Sequence, residues 1–162
     1  MAIVVSDTSP LRALEYIEQL ELLRVLFHEV VIPPTVAFEL REPARRYRPI
    51  DVDTISFLRV VEPRNPSAVL QLQTRLDRGE SEALVLATEL GADAVLMDES
   101  QGRRVANELG LHPVGTLGVL VRARQEALIA EVKPLIDRLI DELGFFLSTD
   151  LYQAVLEQSG EI

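Results

Sequence analysis

Short runs of apolar residues with no polar residue inside them constrain this chain more than any other feature. Ala2-Ile3-Val4-Val5, Val30-Val31-Ile32 and Ala94-Val95-Leu96-Met97 each stop abruptly, the first at Ser6-Asp7, the second at Pro33-Pro34 and the third at Asp98. A run without alternation fits a strand buried on both faces, as in a parallel sheet covered by helices. Longer segments with apolar residues at helical spacing lie between the runs. The alternation predicts an α/β fold built on a parallel sheet.

The pattern also places the elements. The first run is a strand, and Ser9 with Pro10 reads as the N-cap and first position of a helix reaching Gln19. Leu20 to Phe27 reads as a second short helix. Glu29 to Ile32 is a strand, and Thr35 to Leu40 a helix beginning at the prolines. Residues 41–53, rich in Arg and Pro, read as a loop. Ile55 to Val61 is a short strand, and Asn65-Pro66-Ser67 opens a helix running to Arg78. Gly79 then acts as a break before a helix from Glu80 to Leu90, closed by Gly91. Ala94 to Met97 is a strand, Ser100 to Leu109 a helix, His112 to Val114 a brief strand, and Thr116 to Glu126 a helix. Val132 to Leu143 and Thr149 to Glu157 are helical in pattern.

A length of 162 residues suits one domain, read as a body over 1–126 and a C-terminal helical extension over 127–162 packed on it. With no cysteine, disulfides and thiolate metal sites are excluded. His28 and His112 are far apart and suggest no histidine zinc site. No apolar stretch approaches a membrane span, and no basic leader with a cleavage pattern precedes the first strand. A cytoplasmic protein without a membrane partner is the expectation.

A net charge of −10 argues against a broadly phosphate-binding surface. Placement matters more than the total. Lys133 is the only lysine; Arg45 and Arg46 fall in one arginine-rich stretch, and Arg103 and Arg104 form another. Arginine forks suit phosphate recognition.

Ligands of an open parallel sheet bind beyond the carboxyl ends of its strands. Asp7 follows the first strand there, and Asp98 the fourth. The two share one edge if those strands are neighbours. Glu39 lies a turn and a half into the helix after the second strand. Glu80 and Glu82, two residues apart, point about 200° apart on a helix and cannot both face the sheet. Glu80 aligns with the apolar stripe of Ala83, Leu84 and Ala87, whereas Glu82 lies nearer the polar side, which ranks Glu80 first. Several carboxylates converging on one point repel one another unless a cation neutralises them. Oxygen ligands without Cys or His select Mg²⁺ or Mn²⁺.

Taken in order, these segments resemble the PIN-domain family. Val5-Ser6-Asp7-Thr8-Ser9-Pro10 and Val31-Ile32-Pro33-Pro34-Thr35-Val36 leading to Glu39-Leu40 match its first half. Gly79-Glu80-Ser81-Glu82-Ala83-Leu84, Leu96-Met97-Asp98-Glu99, Gly102-Arg103-Arg104 and Gly115-Thr116-Leu117-Gly118 match its second half, over roughly residues 1–126. The nearest likeness is to a prokaryotic branch related to VapC-type toxins.

The resemblance implies a three-layer α/β/α arrangement with about four to five strands and C-terminal helices. It implies cleavage of RNA by a divalent-metal-dependent endoribonuclease, acting as the toxin of a toxin–antitoxin pair and as a homodimer. Carried over by position, Asp7, Glu39, Glu80 and Asp98 are catalytic, with Asp7, Glu80 and Asp98 holding the metal. Thr8, Ser9, Glu82, Glu99 and Thr116 fall at supporting positions. Arg45, Arg46, Arg103 and Arg104 are the expected RNA contacts. The third carboxylate is commonly Asp in the toxin branch and is Glu here. A PIN-fold binding module with weak catalysis, acting through protein or RNA partners, is the alternative. A phosphatase of the aspartyl-nucleophile kind wants D-x-D after the first strand, where this chain has Asp7-Thr8-Ser9, and no G-x-G-x-x-G follows that strand for a dinucleotide.

Overall fold

A computed structural model describes residues 2–162. The strands are β1 (Val4–Ser6), β2 (Val30–Ile32), β3 (Leu58–Val60), β4 (Ala94–Leu96) and β5 (Pro113–Val114). They form one five-stranded sheet in the order β3-β2-β1-β4-β5, and every pairing is parallel. The chain fills one side of β1 first, then crosses back to place β4 on the other side. β1 and β4 are therefore the neighbours between which the order reverses, which meets the condition for Asp7 and Asp98 to share an edge.

The helices are α1 (Thr8–Tyr16), α2 (Leu22–Phe27), α3 (Pro34–Arg41), α4 (Pro66–Leu72), α5 (Arg78–Leu90), α6 (Ser100–Glu108), α7 (Thr116–Gln125), α8 (Lys133–Leu143) and α9 (Thr149–Gln158). Alternate strand residues point to opposite faces of the sheet, and each face has its own core. Val4, Val30, Ile32 and Leu96 pack with Leu11, Leu14, Leu40, Leu120, Ile136 and Val155. Val5, Val31, Val95 and Met97 pack with Leu84 and Leu86 of α5 and Val105 of α6. The result is three layers, α/β/α. The C-terminal helices share the first core through Val132, Ile136, Leu139 and Val155. Leu11, Leu14, Leu20 and Leu23 are buried within the monomer, so they lend no weight to the expected homodimer. Among the described residues no helix is long and apolar enough to cross a membrane.

Three local expectations are corrected. Asp7, not Ser9, is the residue before the first helix, and Thr8 is already helical. The helix opened by Pro66 stops at Leu72 rather than Arg78. Gly79 does not break the chain: α5 starts at Arg78 and runs through it. Asp77 accounts for that start. Its carboxylate accepts from the Glu80 N–H at 2.8 Å, while Glu80 Oε1 accepts from the Asp77 N–H at 3.1 Å. This reciprocal capping box satisfies two orphan donors of the helix end.

Candidate active site

The carboxyl edge of the sheet carries the acidic residues. Ser6 is in register with Leu96, and the Asp7 N–H donates to the Leu96 carbonyl at 3.0 Å. Asp7 and Asp98 thus leave adjacent strands at the same end. Asp7 is buried. Burial, reinforced by the charges of Glu80, Asp77 and Glu39 and opposed by a hydrogen bond from the Thr8 backbone, lifts its carboxyl from 3.8 to about 7.

Glu39 comes in from α3. The Thr8 hydroxyl donates to its Oε2 at 2.8 Å, and Arg12 holds the Glu39 backbone carbonyl. Burial pushes its carboxyl up, and Asp77 and Glu82 add to the rise. The N-terminus of α5 passes directly over this side chain. A Cβ on Gly79 would stand 2.6 Å from Glu39 Oε1, so any larger residue there would push that carboxylate aside.

Glu80 faces the other way along the edge, toward α6. Its Oε2 is 3.5 Å from where a Gly102 Cβ would stand. Burial, opposed by the Asp77 N–H and supported by the charges of Asp77 and Glu99, lifts it from 4.5 to about 7. Glu99 caps α6 by accepting from the Gly102 N–H at 3.0 Å.

Asp98 is held apart from this group. Thr116, the first residue of α7, donates its N–H to Oδ1 and its hydroxyl to Oδ2, both at 2.7 Å. Arg103 donates to the Met97 carbonyl at 2.9 Å, and its charge partly offsets the burial that raises Asp98. A Cβ on Gly115 would meet Asp98 Oδ1 at 3.0 Å and Arg103 Nη1 at 3.2 Å, so a side chain here would press on both groups. From this point a groove of about 920 Å³ runs past Ser9 and Tyr47 and along α7 to Phe145–Leu147.

Of the expected residues, Asp7, Glu39 and Glu80 share one electrostatic environment, with Asp98, Glu99, Thr8 and Thr116 beside it. Ser9 lines the groove without touching the acids. Glu82 differs from the helical-wheel reading. It is buried, because α5 is covered on nearly every side from Gly79 to Ala87. Its carboxylate accepts from the Thr35 N–H at 3.1 Å and the Thr35 hydroxyl at 2.7 Å, and pairs with Arg78 at 2.9 Å. Pro33 offers α3 no capping side chain, so Glu82 satisfies that helix start from outside. It positions the helix that carries Glu39.

The arginines divide as well. Arg103 stands beside Asp98, whereas Arg104 is exposed and reaches only Gln101, and Arg45 is exposed. Arg46 donates to the Glu142 carbonyl at 2.7 Å, away from the acids.

One member of the site was not expected. The charge of Asp77 acts on Asp7, Glu39 and Glu80 together. The D-x-x-E spacing of Asp77 and Glu80 is a capping-box signature that could have marked it.

The donor set is all oxygen and suits a hard divalent cation. Among the described residues no three acidic or histidine side chains stand close enough together to share one ion in this arrangement. What the arrangement holds is concentrated buried negative charge: Asp7 and Glu80 both reach about 7, with neighbours of the same sign. A cation at this edge would relieve that repulsion and the oxygen donors suit one, although the side chains as placed do not converge into a single ligand set. A family model described as a PIN domain matches residues 3–161. No curated protein matches the chain.

Proposed function

We propose, from the premise that this chain belongs to the PIN-domain family, that it is an endoribonuclease dependent on Mg²⁺ or Mn²⁺. PIN domains are generally nucleases. One observation carries the metal-dependent reading: Asp7, buried and pushed up to about 7, is crowded by three further carboxylates at the switch point of the sheet. Asp7, Glu80 and Asp98 would hold the cation, and Glu39 would complete its shell or orient water. A bound divalent ion supplies a polarised phosphoryl oxygen and an acidified water.

The chain's own residues set the geometry. Thr8 fixes one oxygen of Glu39, and Thr116 fixes both oxygens of Asp98. Glu80 is held through one carboxylate oxygen, Oε1, which accepts from the Asp77 N–H. The Arg103 guanidinium beside Asp98 is placed to donate to a phosphate oxygen. The third carboxylate is Glu80 here, one methylene longer than the Asp common in the toxin branch.

The experiment is cleavage of a labelled RNA pool with Mg²⁺ or Mn²⁺. Loss of cleavage in Asp7→Asn is expected, and cleavage unaffected by that change refutes the reading. The resemblance further supports a toxin held by an antitoxin protein and a homodimeric state. Co-purification with the product of the adjacent gene and sedimentation of the free chain test these two. A second reading is a binding module of weak activity, favoured by the double engagement of Asp98 with Thr116. Metal affinity without cleavage of any RNA in the pool would select it.

A further inference from the structure

A second concavity, of about 270 Å³, lies between α1, the 43–50 loop and α8. Arg12, Tyr16, Arg46, Tyr47, Arg48 and Arg138 line it. Arg138 is paired with Glu142. The other arginines are not: Arg12 and Arg46 donate to backbone carbonyls, and Arg48 has no carboxylate partner among the described residues. Those three outweigh Glu15 and Glu18, which also line the wall. On a chain of net charge −10, this is local uncompensated positive charge in a concave setting.

The pocket is also aromatic. Tyr16 and Tyr47 meet at 81° with ring centroids 6.3 Å apart, and the Arg12 guanidinium lies 5.6 Å from the Tyr47 centroid. Tyr47 is the connection to the carboxylates. It lines both this pocket and the groove that contains Asp98, and Arg12 beneath it holds the backbone of Glu39. A strand with its phosphodiester at the carboxylates would pass Tyr47 and enter here. The volume is near the low end of the ~300–1,000 Å³ of small-molecule sites. That is room for one nucleotide, not for a folded protein segment.

We infer that this pocket is a subsite for one nucleotide of single-stranded RNA, with Arg46 and Arg48 on its phosphate and its base stacked on the Tyr47 ring. The subsite rests on the nuclease reading above and extends it to the flanking nucleotide. Arginine forks take phosphate oxygens, and aromatic faces take bases of any sequence. An acidic peptide would need the arginines but not the ring.

The test uses the full chain carrying Asp7→Asn and a fluorescein-labelled single-stranded RNA nonamer pool in Mg²⁺, read by anisotropy against salt. A poly-glutamate peptide is the competitor. Arg46→Ala with Arg48→Ala is expected to weaken binding by about tenfold or more and to flatten the salt dependence by about one phosphate contact. Tyr47→Ala is expected to weaken it about tenfold, and Tyr47→Phe, which keeps the ring, to leave it unchanged. Arg46 ties the loop to α8, so Arg48→Ala alone decides if the double variant melts early. Equal binding by all variants, absence of RNA binding, or binding of poly-glutamate in preference to RNA overturns the subsite. Cleavage separates the two readings. A wild type that cleaves while the pocket variants bind normally sinks the subsite alone. A wild type that binds through the pocket but never cleaves sinks the nuclease alone.

Discussion

Asp7→Asn should stabilise the metal-free protein, and by an amount that grows with pH. The folded chain raises the Asp7 carboxyl from 3.8 to about 7. The folded state therefore binds a proton more tightly than the unfolded state does. Its stability contribution is fully present below about pH 4 and is lost as pH rises toward 7 and beyond. Three units at about 1.4 kcal/mol each set a ceiling of about 4 kcal/mol at pH 8.5. Relaxation around the charge lowers this, so the gain on removing it is about 2–4 kcal/mol. Asn keeps the shape and an oxygen to accept the Thr8 N–H. For a chain of this size each kcal/mol moves the melting temperature by about 2–4 °C, giving a rise of roughly 5–15 °C. The assay is thermal unfolding of wild type and variant in EDTA at pH 4.5, 7 and 8.5. The difference between the two proteins, not either curve alone, isolates Asp7 from the other carboxylates. It should be smallest at pH 4.5, about 1 kcal/mol or less, and largest at pH 8.5. Saturating Mn²⁺ should narrow it, because the ion stabilises the wild type preferentially. A difference that does not change with pH refutes the reasoning.

Gly79→Ala should cut RNA cleavage by about 10–100-fold, because the new Cβ displaces Glu39 from 2.6 Å away. Its melting temperature should move little, since alanine favours the helix by about 1 kcal/mol. Asp77→Asn keeps a competent cap and removes a charge that raises Asp7, Glu39 and Glu80. The acid limb of its pH–rate profile should move to lower pH. Thr116→Val deletes the strongest hydrogen bond holding Asp98 down and should move that limb to higher pH, at a stability cost of about 1 kcal/mol.

The sheet was legible because burial on both faces writes itself as unbroken apolar runs. The shared edge of Asp7 and Asp98 hung on β1 and β4 being neighbours, which no local pattern fixes and which the sheet order supplies. The site was legible where an acid directly follows a strand, and less so within α5. A helical wheel separates a core stripe from a solvent face, but α5 is covered nearly all round from Gly79 to Ala87, so Glu82 was placed on a polar side that opens only at Thr88 and Glu89. Its true partner, the open start of α3, is a tertiary contact with no local signature. Gly79 was read as a break because glycine weakens helices. The reason for it lies in Glu39, forty residues earlier. Tyr47 and its arginines sit in a loop whose composition announces a loop and nothing more.

The acids of this site and the starts of its helices coincide. Asp7 precedes α1, Asp77 precedes α5 with Glu80 in its first turn, Glu99 precedes α6, and Thr116 opens α7. Each acid alone is what a helix start ordinarily attracts, which is why no single one is diagnostic. Magnitude separates the two uses. A helix N-terminus favours a carboxylate by about 0.3–1 kcal/mol, up to about 2 in partly buried settings, and so lowers its pKa. Asp7 and Glu80 go the other way, to about 7. Burial and mutual repulsion have outrun the help of the helix ends by a margin no cap requires. Burial is the larger cause at both residues and the neighbouring charges the smaller, and on the metal-dependent reading a divalent cation would offset both.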